Sequence, residues 1–204
     1  MSRHLTLLTA LGIAFGATAA AGQDHSVGAI PQNPNASARS GFTLPAAVVD
    51  PASGLPTAAL TDAMAAWLGA AFDLPDMQAR PRFALVPPKR LVSLRLRGVA
   101  SDRWAVSNAE LAPSQVVAIY ADDDRTIYLP EGWTGGTPAE LSVIVHELVH
   151  HLQNEAGLKF ACPEMREDVA FAAQARWLGL FGTDLHSEFG IDAFTLLVRT
   201  NCPL

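Results

Sequence analysis

Apolar residues recur along the chain at helical spacing in some stretches and in alternation in others. Leu60, Met64, Trp67, Leu68 and Ala71 fall on one helical face. Pro56 suits the first turn of that helix, Pro75 closes it, and the stripe reads as core packing. Residues 82–86 read as a short strand, and residues 89–97 fit either a strand or a helix. Two β-rich runs, 116–120 and 126–129, flank a turn over 121–125 and predict a β-hairpin. Three aspartates in a row occupy that turn. They lack the further oxygen ligands of a calcium loop and read as a solvated turn. The glycine-rich loop 131–136 that follows is flexible enough to border a cleft.

A second strong helix signal starts at Thr137. Thr137 can cap the first amides, Pro138 suits the first helical position, and Glu140 completes a capping box. The helix runs to Ala156, and Gly157 is its natural stop. Cys162-Pro163 marks the start of the next helix.

The ends of the chain differ in character. Arg3 and His4 precede an apolar run from Leu5 to Phe15, followed by small residues up to Ala21. This is the pattern of a secretory signal peptide over 1–21, with cleavage after Ala21 and Ala19 as the alternative. The run falls short of the roughly 20 residues needed to span hydrocarbon, so no membrane anchor is expected after cleavage. Residues 22–45 are polar, rich in Gly, Ser, Pro and Asn, and read as a flexible leader. Residues 46–204 are expected to form one domain.

Composition narrows the picture further. The 204 residues are half hydrophobic and 17% charged, as in a globular protein rather than a disordered one. The formal net charge is −6, and loss of Arg3 with the signal makes it −7. That balance argues against a nucleic-acid partner, which calls for a basic footprint. Seven of the 14 basic residues lie between Arg80 and Arg103, which reads as a solvated face or as a seat for an anionic ligand. Export and an even count predict a disulfide between the two cysteines, Cys162 and Cys202. The loop closed is about 40 residues, for which chain entropy gives about 4 kcal/mol.

The candidate chemistry sits in the helix from Thr137, which carries His146-Glu147-Leu148-Val149-His150. Residues four apart share one helical face, so His146 and His150 present two imidazoles side by side. That suits Zn²⁺. Glu147 is turned by about 100° from His146, off the ligand line but within reach of a metal-activated water, where it serves as general base. His151 lies off the ligand face.

A catalytic zinc site takes a third protein ligand and keeps one position open. Glu164, Glu167 and Asp168 are the candidates. In an antiparallel helix pair His150 lies about 9 Å from the end of the first helix and Glu167 about 7.5 Å into the second. Glu164 reaches only about 3 Å in, and Asp168 is shorter and turned away. Glu167 is the expected third ligand. Gln174 and Gln153, seven residues beyond Glu167 and His146 respectively, are placed to orient His146 or to make ordinary interhelix hydrogen bonds.

HELVHHLQ, then a cysteine, then Glu167-Asp168-Val169-Ala170-Phe171 with Gln174 and Trp177-Leu178, resembles the gluzincin branch of HExxH zinc metallopeptidases. More narrowly it resembles small exported bacterial proteins of that type grouped as domains of unknown function. The likeness is concentrated in residues 137–178. It implies zinc on His146, His150 and a downstream glutamate, with Glu147 catalytic. It also implies a hairpin edge strand at Ile127–Leu129 beside the substrate cleft. Two positions depart from the pattern. Phe171 stands four after Glu167, where thermolysin-like enzymes carry an orienting aspartate. No later His or Tyr is clearly marked as transition-state stabiliser, which leaves His186, Tyr128 and Tyr120 as candidates.

The expectation is a single α+β, zincin-like domain, with a small, mainly antiparallel sheet packed on several helices. Its expected function is zinc-dependent hydrolysis of a protein or peptide substrate by a secreted or periplasmic enzyme. The rival expectation is an exported, non-catalytic binding or structural module with a structural or vestigial zinc, closed by a fourth ligand from His151 or Glu164.

Overall fold

The computed structural model describes residues 42–95 and 117–202. The predicted signal peptide, most of the leader, Val116, Arg97 and Arg103 lie outside the described residues. Helix α1 spans Ala58–Phe72 and is capped by Thr57, whose hydroxyl accepts the Leu60 amide at 3.1 Å. It ends at Phe72, three residues before Pro75, and its cap residue Asp73 takes a left-handed conformation with φ 54°. Leu60, Met64, Trp67 and Leu68 are buried, as their spacing requires.

Strand β1 (Arg82–Val86) leads into helix α2 (Pro88–Arg95), so the ambiguous stretch is a helix, with Leu91 and Leu94 buried. Strands β2 (Ile119–Ala121) and β3 (Thr126–Pro130) form the expected hairpin, with Tyr120 opposite Ile127. The three-stranded sheet has the order β1-β3-β2, and its longer ladder is parallel, pairing Arg82–Val86 with Thr126–Pro130. The sheet is therefore mixed, and β3 is its central strand. Turn chemistry marks the local hairpin, but the partner of β1 is set by a connection of some forty residues that carries no local signal.

Helix α3 (Pro138–Glu155) runs through the middle of the domain, with every residue from Leu141 to Gln153 buried. Its start follows the sequence signal. The Thr137 hydroxyl accepts the Glu140 amide at 3.1 Å. The Glu140 carboxylate accepts the amides of Thr134 and Gly136, each at 2.9 Å. The preceding loop is thereby pinned, not flexible. Trp133 is buried, and at Gly135 (φ 63°) any Cβ would meet Val49 at 2.8 Å. None of residues 131–136 lines the cavity described below. Gly157 ends the helix with φ 62°.

A single 3-10 turn, Pro163–Arg166, precedes helix α4 (Glu167–Leu180), which packs along α3. Two short helices follow, α5 (Leu185–Phe189) and α6 (Ala193–Thr200). The core joins α1, the sheet, α3 and α4, with Trp177 edge-on to both Phe42 and Trp67. Phe42, on the leader side of the expected boundary at 46, is part of that core. No described helix is long and apolar enough to cross a membrane.

The Cys162–Cys202 disulfide is present and ties the end of α6 to the 3-10 turn. The bond closes a loop of 40 residues. Replacing both cysteines by serine is expected to lower unfolding free energy by up to about 4 kcal/mol in denaturant melts. Unchanged stability would show that the bond constrains nothing the fold does not already hold.

Candidate metal centre

The helical spacing of α3 brings His146 and His150 together as expected. Their Nε2 atoms face each other at 3.2 Å, and both rings are buried. Glu167 completes the group. Its Oε2 lies 3.1 Å from His146 Nε2 and 3.4 Å from His150 Nε2. The expected trio is therefore assembled, although the route differs from a continuous second helix. The 3-10 turn intervenes, so Glu167 is the first residue of α4 and not one placed a turn and a half inside it. Asp168 is exposed, and Glu164 stands outside the trio with a buried Oε2 that has no hydrogen-bond partner.

The tautomer of His150 follows from its neighbour. Gln153 Oε1 lies 3.1 Å from His150 Nδ1 and, as an acceptor, calls for a proton there. The lone pair is then on Nε2 and points at the other two donor atoms. Gln153 is itself fixed, because its amide donates to Arg166 O at 3.1 Å and its oxygen accepts Arg166 Nε at 3.3 Å. Gln153 thus orients His150 and not His146. Gln174 does not reach either histidine and instead donates to Ser142 Oγ at 3.2 Å. His146 Nδ1 is buried without a partner, and Phe171 packs edge-on against the ring at 4.7 Å. Phe171, the residue that departs from the expected pattern, offers the His146 ring no hydrogen-bond acceptor.

Three electron-rich atoms this close repel one another unless positive charge lies among them. A proton serves one pair; a cation serves all three. Ligand atoms bonded at about 2.0–2.1 Å to a tetrahedral ion stand about 3.3–3.4 Å apart, which matches the observed triangle. Two imidazoles and one carboxylate are also the donor set of a catalytic site that keeps one position open.

Glu147 projects beside the trio and is buried. Its Oε2 accepts the Tyr120 backbone amide at 2.7 Å, so strand β2 aims the carboxylate. The strand bordering the site is therefore β2, at the sheet edge, and not Ile127–Leu129, which belongs to the central strand. Burial raises the Glu147 carboxyl above its ordinary range; His146 opposes the shift and Glu167 reinforces it. Burial works on Glu167 as well, but the hydrogen bonds and charges of His146 and His150 outweigh it and hold its carboxyl far below the usual range.

His151 is wholly buried on another side of α3, where Nε2 donates to Ala79 O at 2.7 Å and Nδ1 accepts the Tyr120 hydroxyl at 3.1 Å. Asn154 donates to the same hydroxyl at 2.9 Å. Tyr120, with its phenol pushed up by burial, is thus committed to structure. Tyr128 donates to Asp124 at 2.7 Å, and His186 is exposed on α5. None of the three stabiliser candidates presents a free polar group beside the trio.

Arg166 carried no sequence signal. It forks onto Asp122 with two contacts of 2.6 Å and donates to His150 O at 3.1 Å. The aspartate turn is therefore partly a structural anchor. A cavity of about 120 Å³ opens beside the trio, lined by Arg95, Ala118, Ile119, Tyr120, His146, Glu147, His150, Arg166 and Glu167. A larger hollow of about 380 Å³ lies elsewhere, between Phe42, Trp67 and Arg176. Among the described residues, no ligand cluster other than His146, His150 and Glu167 is present.

Fold and site together define a mixed α+β domain with an HExxH helix and a candidate three-ligand metal centre. Within that class, the chain belongs to the family described as Domain of unknown function (DUF6647), which matches residues 53–204. No curated protein and no solved structure matches the chain.

The geometry ranks the carboxylates. In a Zn²⁺ titration against a competing chelator, Glu167→Ala is expected to lose affinity by more than a hundredfold, while Glu164→Ala stays near wild type. Gln153→Ala is expected to cost about 10–100-fold, as loss of a ligand-orienting partner does. A larger effect from Glu164→Ala than from Glu167→Ala would contradict the assignment.

Proposed function

We propose that the protein is an exported zinc peptidase of the zincin, gluzincin-like type, hydrolysing peptide bonds of a protein, short peptide or cell-wall peptide. The carrying observation is the convergence of His146 Nε2, His150 Nε2 and Glu167 Oε2 beside the buried, strand-aimed carboxylate of Glu147. A zinc ion held by the three would supply an acidified water and polarise the scissile carbonyl.

The remaining work falls to the chain's own groups. The two carboxylates divide it, because their surroundings push their proton affinities in opposite directions. Glu167 stays charged and suits a ligand. Glu147 takes a proton readily and suits the general base, which accepts a proton from the attacking water and returns it to the leaving amine. The Tyr120 amide keeps Glu147 Oε2 in place while this happens. Gln153 holds the His150 ring. Ile119 and Tyr120 of β2 line the cavity, so an extended substrate reaching the trio would pass beside this strand. The signal-peptide pattern and the disulfide support a secreted or periplasmic setting.

The rival reading, a closed structural zinc, needs a fourth protein ligand. His151 spends both ring nitrogens on Tyr120 and Ala79, and Glu164 stands apart from the trio. The open-site reading is the better supported.

Glu147→Gln separates binding from chemistry. The variant is expected to hold about one zinc per chain and to lose peptide hydrolysis by about 10²–10⁴-fold, the usual range for a general base. Retained hydrolysis in the variant, or no hydrolysis by zinc-loaded wild type across a mixed peptide library, would overturn the proposal.

A further inference from the structure

The cluster of basic residues between Arg80 and Arg103 has unequal fates. Arg80 is paired with Asp62 at 2.6 Å. Arg82 donates to Asp124 O at 2.6 Å and to Thr126 Oγ1 at 3.3 Å. Arg95, the last residue of α2, instead lines the cavity beside the metal trio. It forms no ion pair and no hydrogen bond among the described residues, and it is exposed.

The charges around the cavity can be matched against one another. Arg166 is balanced by its fork onto Asp122. A divalent cation on the trio would be balanced by Glu147 and Glu167. Among the described residues, Arg95 is then the cavity-lining charge to which no ion pair is matched.

Position decides between two roles for such a cation. A group that stabilises charge developing on the scissile carbonyl has to sit close to the buried ligand atoms. Arg95 lies exposed at the mouth, and the cavity of about 120 Å³ holds little beyond the reacting unit itself. The part of a substrate that meets Arg95 is the part that protrudes.

We infer that Arg95 is a specificity-determining residue that selects peptides carrying a carboxylate next to the scissile bond. The carboxylate is either the chain's own C-terminus or an acidic side chain. A guanidinium takes either in the same way, through paired N–H donors. The inference rests on the peptidase reading, because it names the substrate class of that same site.

The test uses zinc-loaded Glu147→Gln protein, which binds without turnover, titrated calorimetrically with three probes. These are N-acetyl-trialanine with a free C-terminus, its C-terminal amide, and an N-acetyl-Ala-Glu-Ala amide. At least one anionic peptide is expected to bind about tenfold tighter than the neutral amide, the scale of a charge-assisted hydrogen bond. The winning peptide tells a terminal carboxylate from a side-chain one. Adding Arg95→Gln should abolish the preference while leaving zinc content intact, and Arg95→Lys should keep part of it. Equal binding of all three, no binding of any, or a preference that survives Arg95→Gln would overturn the inference. Its failure is distinguishable from that of the peptidase reading. Wild type that cleaves neutral and anionic peptides with equal kcat/KM keeps the reaction and removes the role of Arg95. Charge-selective binding without cleavage of any peptide does the reverse.

Discussion

A helix buried along most of its length has to satisfy every polar side chain it carries, and α3 carries five in eight residues: His146, Glu147, His150, His151 and Gln153. Each unpaired polar group inside a protein costs about 1–3 kcal/mol, so α3 dictates what must surround it. The surrounding elements supply partners one by one. Strand β2 gives Glu147 a backbone amide and His151 a phenol. The segment before β1 gives His151 a carbonyl. The 3-10 turn fixes Gln153, which fixes His150. What is left over is His146 Nδ1, which has no partner, and the trio of lone pairs at His146, His150 and Glu167, for which no donor among the described residues satisfies all three at once.

Arg166 links the two sides of this arrangement. Its guanidinium reaches the β2–β3 turn through Asp122 and the backbone of α3 through His150 O, while its own carbonyl and Nε hold Gln153. Glu167 is the next residue in the chain. The contacts of this one side chain thus brace the turn directly before the third donor residue. The disulfide at Cys162 secures the same turn from the other end by anchoring α6 to it.

The site was legible where its signals are local. Capping residues, a proline at the first turn and a terminal glycine marked α3, and helical periodicity placed two histidines on one face. Paired cysteines marked the disulfide. Depth along a continuous helix from Cys162 also points to Glu167, whereas the chain makes a 3-10 turn there, which has a different rise and no distinct sequence mark. Contacts made across the fold were not legible. Gln153 sits at a spacing that suggests service to His146, yet the ring it meets is that of His150. His151 lies off the ligand face as its position in the helix says, but its full burial against Ala79 and Tyr120 has no local mark. The parallel pairing of β1 puts β3 at the centre of the sheet and hands the edge beside the site to β2. Periodicity says which residues are strand and is silent on which strand is their neighbour.

The central claim is that three lone pairs converge to hold one metal ion. Anomalous diffraction at the zinc absorption edge, from crystals of zinc-loaded protein, tests it most directly. The account predicts one strong peak per chain, about 2.0–2.1 Å from His146 Nε2, His150 Nε2 and a Glu167 oxygen, with a remaining coordination position free of protein. A peak on other residues, or no peak between the two histidines at full zinc loading, would contradict it.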